Sequence, residues 1–208
     1  MKVVVISDTH NLHSKLILPA GDLLIHCGDF SSFGSVKEII SFNNYLKTLP
    51  FDKKLIVPGN HDLLCEKDIS LCKSLISNGK LFVDELIEIE GKKFYFSPWT
   101  PKFGNWCFME ERESIHRHWG KIPEKTDVLI THGPPHGILD SVMSSFGSIS
   151  VGCEALRKKV FEIKPRFHLF GHVHEGYGSI EVGGIKFVNA AICNKSYLPV
   201  NQPMVIEL

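Results

Sequence analysis

The stretch FHLFGHVHEGYG, residues 167–178, passes from an apolar run through a glycine into two histidines one residue apart, His172 and His174. A single histidine at a strand end is ordinarily a satisfied core or surface residue. The pair gains meaning because the arrangement recurs along the chain. Residues 3–6 run into Ser7-Asp8-Thr9-His10, and residues 23–25 into His26-Cys27-Gly28-Asp29. Residues 55–57 run into Pro58-Gly59-Asn60-His61-Asp62, and residues 128–130 into Thr131-His132-Gly133. Each apolar run predicts a short buried strand. Strands sharing one direction bring their carboxyl ends to one edge, where open α/β sheets bind ligands. On extended strand ends Asp8 and His10 point the same way, and so do His172 and His174.

Helical patterns lie between the runs. Residues 35–48 place Val36, Ile39, Ile40 and Leu46 near one face, and residues 152–163 do so with Leu156, Val160 and Ile163. Residues 85–90 and 93–97 predict a hairpin turning near Gly91. Residues 179–182 and 185–188 predict another, turning at Gly183-Gly184. Parallel βα units at both ends of the chain, together with two hairpins, fit two packed sheets with helices outside. No repeat or long linker interrupts the 208 residues, which fits one domain over 1–208.

Composition narrows the function. The chain carries 23 basic and 23 acidic residues, a balance that argues against gripping nucleic acid through its phosphates. The opening VVVIS is too short for a secretion signal, and no run approaches the roughly 18 apolar residues of a membrane span. The cysteines (27, 65, 72, 107, 153 and 193) show no CxxC spacing. Most are expected to be small buried hydrophobes in the reducing cytoplasm, and a disulfide framework is not expected.

Asp8, His10, Asp29, Asn60, His132, His172 and His174 are too many ligands for one first-row ion with open positions. They suit two ions sharing a carboxylate, a clamp about 3.5–4 Å across for in-line displacement at phosphorus. Imidazole, carboxylate and amide without thiolate suit Mn, Fe, Zn or Co, and not a structural zinc site or a calcium cage. Two dications against two carboxylates and a bridging hydroxide leave a net charge of about +1, attractive to a phosphate anion.

These motifs closely resemble those of the calcineurin-like metallophosphoesterases: D-x-H at Asp8-Thr9-His10, G-D at Gly28-Asp29, G-N-H-D at 59–62, a lone His132, and G-H-x-H at 171–174. WTPKFGNWCF (99–108), THGPPHG (131–137) and VNAAICNKSYLPVNQPMVIEL (188–208) are similar to the MPPED-type branch, itself similar to class III cyclic nucleotide phosphodiesterases. The resemblance implies a four-layer αββα sandwich of two mixed sheets. It implies one metal on Asp8, His10, Asp29 and His174, and another on Asp29, Asn60, His132 and His172, with Asp29 bridging. A hydroxide bridging the metals would attack a small phosphoester, nucleotides included, while His61 faces the phosphate and Asn60 also touches it. One departure stands out. Where many members extend the second motif to G-D-x-x-D, this chain has Ser32, so His61 lacks its usual carboxylate partner. The alternatives are a phosphomonoesterase or nuclease of the superfamily, or a non-catalytic nucleotide- or protein-binding scaffold. A dimer is compatible with the sequence.

Other residues have less distinctive settings. His26 is expected to be structural, His13 an exposed loop residue, and His116 and His118 part of a solvated helix face. His168 is expected in the core or behind the ligands. Asp62 is expected to cap a helix. His136 is a candidate substrate contact, and Asn189 a candidate hydrogen-bond partner of a ligand histidine. Trp99, Phe103 and Trp106 either pack on the sheet edge or form a wall for a base.

Overall fold

Alternate residues of the first strand serve two different cores. Val3 and Val5 face the other sheet, while Val4 and Ile6 face helices. Both faces are buried, so the run reads as continuously apolar. The computed structural model describes residues 1–145 and 147–208. Its strands are β1 (Lys2–Ile6), β2 (Leu23–His26), β3 (Lys53–Ile56), β4 (Lys80–Leu81), β5 (Glu85–Ile89), β6 (Lys92–Ser97), β7 (Thr100–Pro101) and β8 (Met109–Glu110). There follow β9 (Val128–Thr131), β10 (Ser141–Ser144), β11 (Gly147–Ser150), β12 (Phe167–Phe170), β13 (Gly178–Val182), β14 (Ile185–Asn189) and β15 (Met204–Glu207). The helices are α1 (Val36–Thr48), α2 (Leu63–Lys67), α3 (Ile69–Leu75), α4 (His116–Trp119) and α5 (Glu154–Ile163).

One sheet has the order β15-β1-β2-β3-β4 and the other β13-β14-β12-β9-β6-β5. In the first, β1 to β4 are parallel and β15 is antiparallel. In the second, β14, β12, β9 and β6 are parallel, with β13 and β5 as antiparallel edges. Val3, Val5, Ile25 and Leu55 of the first sheet meet Phe94, Phe96, Ile130 and Leu169 of the second in a shared core. Outside the first sheet lie α1, α2 and α3; outside the second lie α4 and α5. This is the expected four-layer αββα arrangement. Among the described residues no helix is long and apolar enough to cross a membrane.

Several local expectations change. α1 buries Ile39, Phe42 and Leu46, leaving Val36 and Ile40 exposed, because its axis turns the i, i+3, i+7 stripe inward. Ser35 caps it with a reciprocal bond to Glu38. Cys65 and Cys72 are joined as a disulfide between α2 and α3, where most cysteines are expected to be small buried hydrophobes and no disulfide framework is expected. The cause is packing: the two helices follow one another directly, and both cysteines turn to the same core. The other four cysteines are free and buried.

Candidate metal centre

The carboxyl ends of both sheets converge. Ser7, just past β1, bridges in parallel to Ala191, just past β14, and Ile192 N–H donates to the Ser7 carbonyl at 2.9 Å. The Gly171 N–H donates to the His132 carbonyl at 2.9 Å, tying two ligand loops together. All seven candidate ligands therefore lie at one end of the sandwich, on loops from both sheets.

Extended alternation does not aim these side chains. Asp8 (φ 52°), His10 (φ 39°), Asp29 (φ 56°) and His172 (φ 68°) are left-handed, so each ligand pair is presented by a tight turn. Such conformations cost on the order of 1 kcal/mol or more each outside glycine and concentrate at functional sites. Two glycines permit the crowding by close approach. A Cβ on Gly171 would collide with the Asp8 carboxylate, and one on Gly59 with that of Asp29.

The ligand atoms form overlapping groups. Asp8, His10 and His174 offer atoms within 4.8 Å of one another, as do Asp29, His132 and His172. Asp29 Oδ2 lies between them, 3.9 Å from His10 Nε2 and 3.4 Å from His132 Nε2. His132 Nδ1 donates to the Cys27 carbonyl at 2.9 Å, which leaves Nε2 as the ring atom turned to Asn60 Oδ1 at 2.9 Å and Asp29 Oδ2. His174 Nδ1 likewise donates to the Asn194 carbonyl at 3.0 Å, and its Nε2 faces His10 Nε2 at 3.2 Å. Asp8 Oδ1 is buried without a hydrogen-bond partner. Imidazole nitrogens, an amide oxygen and carboxylate oxygens turned toward one another, with Asp8 Oδ1 left over, make a donor set that fits divalent cations once the nitrogens are deprotonated.

The electrostatics agree. Burial alone would raise both carboxyls, but His174 beside Asp8 and His132 beside Asp29 hold them well below the usual range. Burial would lower His132, yet Asp29 raises it to about 9. His172 is pushed down to about 3, chiefly by burial.

Supporting residues differ from the sequence reading in several places. Asp62 begins α2, yet its side chain makes no cap bond. It accepts instead from the N–H groups of Asp29 (2.9 Å), Ser31 (3.0 Å) and Gly59 (2.8 Å), binding two ligand loops together. Burial, then the Asp29 charge, push it up to about 7. His61 does not lack a partner: its Nδ1–H donates to the Ser32 backbone carbonyl at 2.8 Å, so the position that lost a carboxylate still orients the ring. Asn189 holds backbone, not imidazole. Its Nδ2 donates to the Val173 carbonyl at 2.8 Å and the Gly171 carbonyl at 3.4 Å, on either side of His172.

His13 is buried against Phe42 and Tyr45, not exposed. His118 stacks on Trp99 at 3.8 Å, so neither belongs to a solvated face or a base wall. His26 and His168 are buried and donate from Nε2 to Thr9 and Thr131. A cleft of about 470 Å³ opens beside the ligands, lined by Phe103, Trp106, Arg112, Lys195 and Tyr197 among others. His136 is not part of its lining. Tyr197 and Lys195 escaped the sequence reading because the 193–199 loop carries no ligand-type pattern.

Convergent acidic and imidazole side chains at one end of an αββα sandwich are the arrangement of the metallophosphoesterase class. The chain belongs to the calcineurin-like phosphoesterase family, whose model matches residues 1–176. It is 38% identical over 232 residues to human Metallophosphoesterase domain-containing protein 1, covering 100% of this chain and 71% of that one. A UPF0046 protein of Caenorhabditis elegans is 36% identical over 222 residues, covering 100% of this chain and 75% of the relative. Among solved structures, a Thermus thermophilus protein is similar in fold (TM-score 0.61, 10% identity, 90% of this chain and 88% of that one). So is a protein described as a novel archaeal phosphodiesterase (TM-score 0.53, 18% identity, 100% and 93%).

Proposed function

We propose that this chain is a dinuclear metal-dependent phosphodiesterase for small phosphodiesters, nucleotide-type ones included, working in the cytoplasm as one domain over 1–208. The observation that carries the reading is the position of Asp29 Oδ2, between two groups of converging nitrogen and oxygen atoms. Asp8, His10, Asp29 and His174 would hold one ion; Asp29, Asn60, His132 and His172 the other. Two divalent ions, when bound, supply Lewis acidity at phosphorus and acidify water. Mn, Fe, Zn and Co all suit these donors.

The chain's own groups do the rest. With Nδ1–H fixed on Ser32, His61 presents Nε2 to the site, 3.9 Å from Asp29 Oδ2. From there it stabilises or protonates the leaving oxygen. The His61 N–H also donates to Asp29 Oδ1 at 2.8 Å, so the bridging carboxylate and the phosphate-facing ring share one anchor. Lys102 and Arg112 at the cleft are already paired with Glu111 and Glu154.

The test is metal reconstitution. Chelator-stripped protein receives Mn²⁺ and is offered bis-p-nitrophenyl phosphate and the p-nitrophenyl monoester. Metal-dependent turnover preferring the diester is expected. A folded protein that binds two ions but hydrolyses neither ester with Mn²⁺, Zn²⁺, Co²⁺ or Fe²⁺ is a binding scaffold.

A further inference from the structure

Two exposed aromatic rings stand at opposite groups of ligand histidines. Phe103, 46% exposed, lies 5.2 Å from the His172 ring, in the Asp29–His132–His172 group. Tyr197, 48% exposed, lies 4.8 Å from His10 and 5.2 Å from His174, in the Asp8–His10–His174 group. Both line the same cleft. Half-exposed aromatic rings on separate loops serve no core; they offer apolar surface to whatever enters.

The rings are also held in place. The Asn194 carbonyl accepts from His174 Nδ1 and from the Tyr197 N–H at 2.8 Å, so one peptide group fixes both the ligand histidine and the tyrosine. The loop carrying Phe103 is tied to the other group through Cys107, whose N–H donates to the Asn60 carbonyl at 3.2 Å. Trp106 packs on His61 at 4.1 Å, and Tyr197 lies 6.3 Å from the same ring.

We propose that Phe103 and Tyr197 are specificity residues that each seat one ester arm, one at each group of ligand histidines, so that the site selects phosphodiesters bearing two flat apolar arms. The assignment rests on the phosphoesterase reading above and names its substrate class.

Binding, not turnover, tests it. Calorimetry on Mn²⁺-loaded protein compares diphenylphosphinate with dimethylphosphinate, which share a charge and differ only in their arms. Wild type should bind the diphenyl compound at least about tenfold more tightly. Phe103→Ala and Tyr197→Ala should each remove most of that preference and leave dimethylphosphinate within about twofold, while Tyr197→Phe keeps it. No diphenyl preference in wild type, or a preference untouched by both alanine variants, overturns the assignment. Ring-dependent binding by a protein that hydrolyses no ester supports it and sinks the hydrolase reading instead.

Discussion

At the scale of single residues, Asp29 concentrates the most chemistry. One of its oxygens faces both ligand groups, and the other accepts from the His61 N–H. Asp29→Asn keeps the shape and removes the charge that two cations would share; Asn60→Ala removes one ligand. Each is expected to lower kcat at least about 100-fold on a metal-replete sample whose circular dichroism is unchanged. Near-normal rates would remove either residue from the site. These side chains were legible because ligand chemistry needs particular residue types and leaves little choice. The supporting residues were harder to read. Ser32 acts through a carbonyl that every residue possesses, and Asp62 receives backbone donors where capping is its commoner use.

At the scale of elements, the ligands depend on how each strand ends. The turns after β1, β2 and β12 hold left-handed ligand residues, and Gly171 lets the last of them pass against Ser7 and Asp8. Gly171→Ala adds only a methyl group, yet it meets the Asp8 carboxylate. A loss of about 1–3 kcal/mol is expected from the urea midpoint, with weaker Mn²⁺ binding. Unchanged stability and affinity would show that the β12 turn has room to spare. The strand runs and both glycine hairpins were readable from apolar periodicity and turn residues. The turns themselves were not, since left-handed Asp and His look in sequence like any other Asp and His. The exposed Val36 and Ile40 of α1 show the same limit: a helix's pattern allows several stripes, and packing selects one.

At the scale of the whole molecule, the two sheets bury one histidine each behind the ligand loops, His26 and His168, and burial pushes both from an ordinary 6.5 down to about 3. The unfolded chain therefore holds more protons than the folded one between those values. The stability this gives is complete above about pH 6.5 and is lost as pH falls toward 3, at roughly 1.4 kcal/mol per histidine per pH unit. Asp62 and His132, whose values are raised, act in the opposite sense. The informative quantity is thus the difference between wild type and His168→Gln. In metal-free urea titrations from pH 7 to pH 5, the variant should lose less stability, by about 1–2 kcal/mol. Parallel profiles would mean that His168 titrates in the folded state as it does unfolded. The sequence by itself determined the family, the layered α/β class and the identity of the candidate ligands, because burial periodicity and metal chemistry each restrict residue type at fixed positions. Only the tertiary structure decided that His61 rests on a backbone carbonyl, that Asp62 binds two loops, and that Phe103 and Tyr197 face different ligand groups. Those contacts join segments tens to more than a hundred residues apart through backbone groups and ring surfaces, which no local pattern specifies.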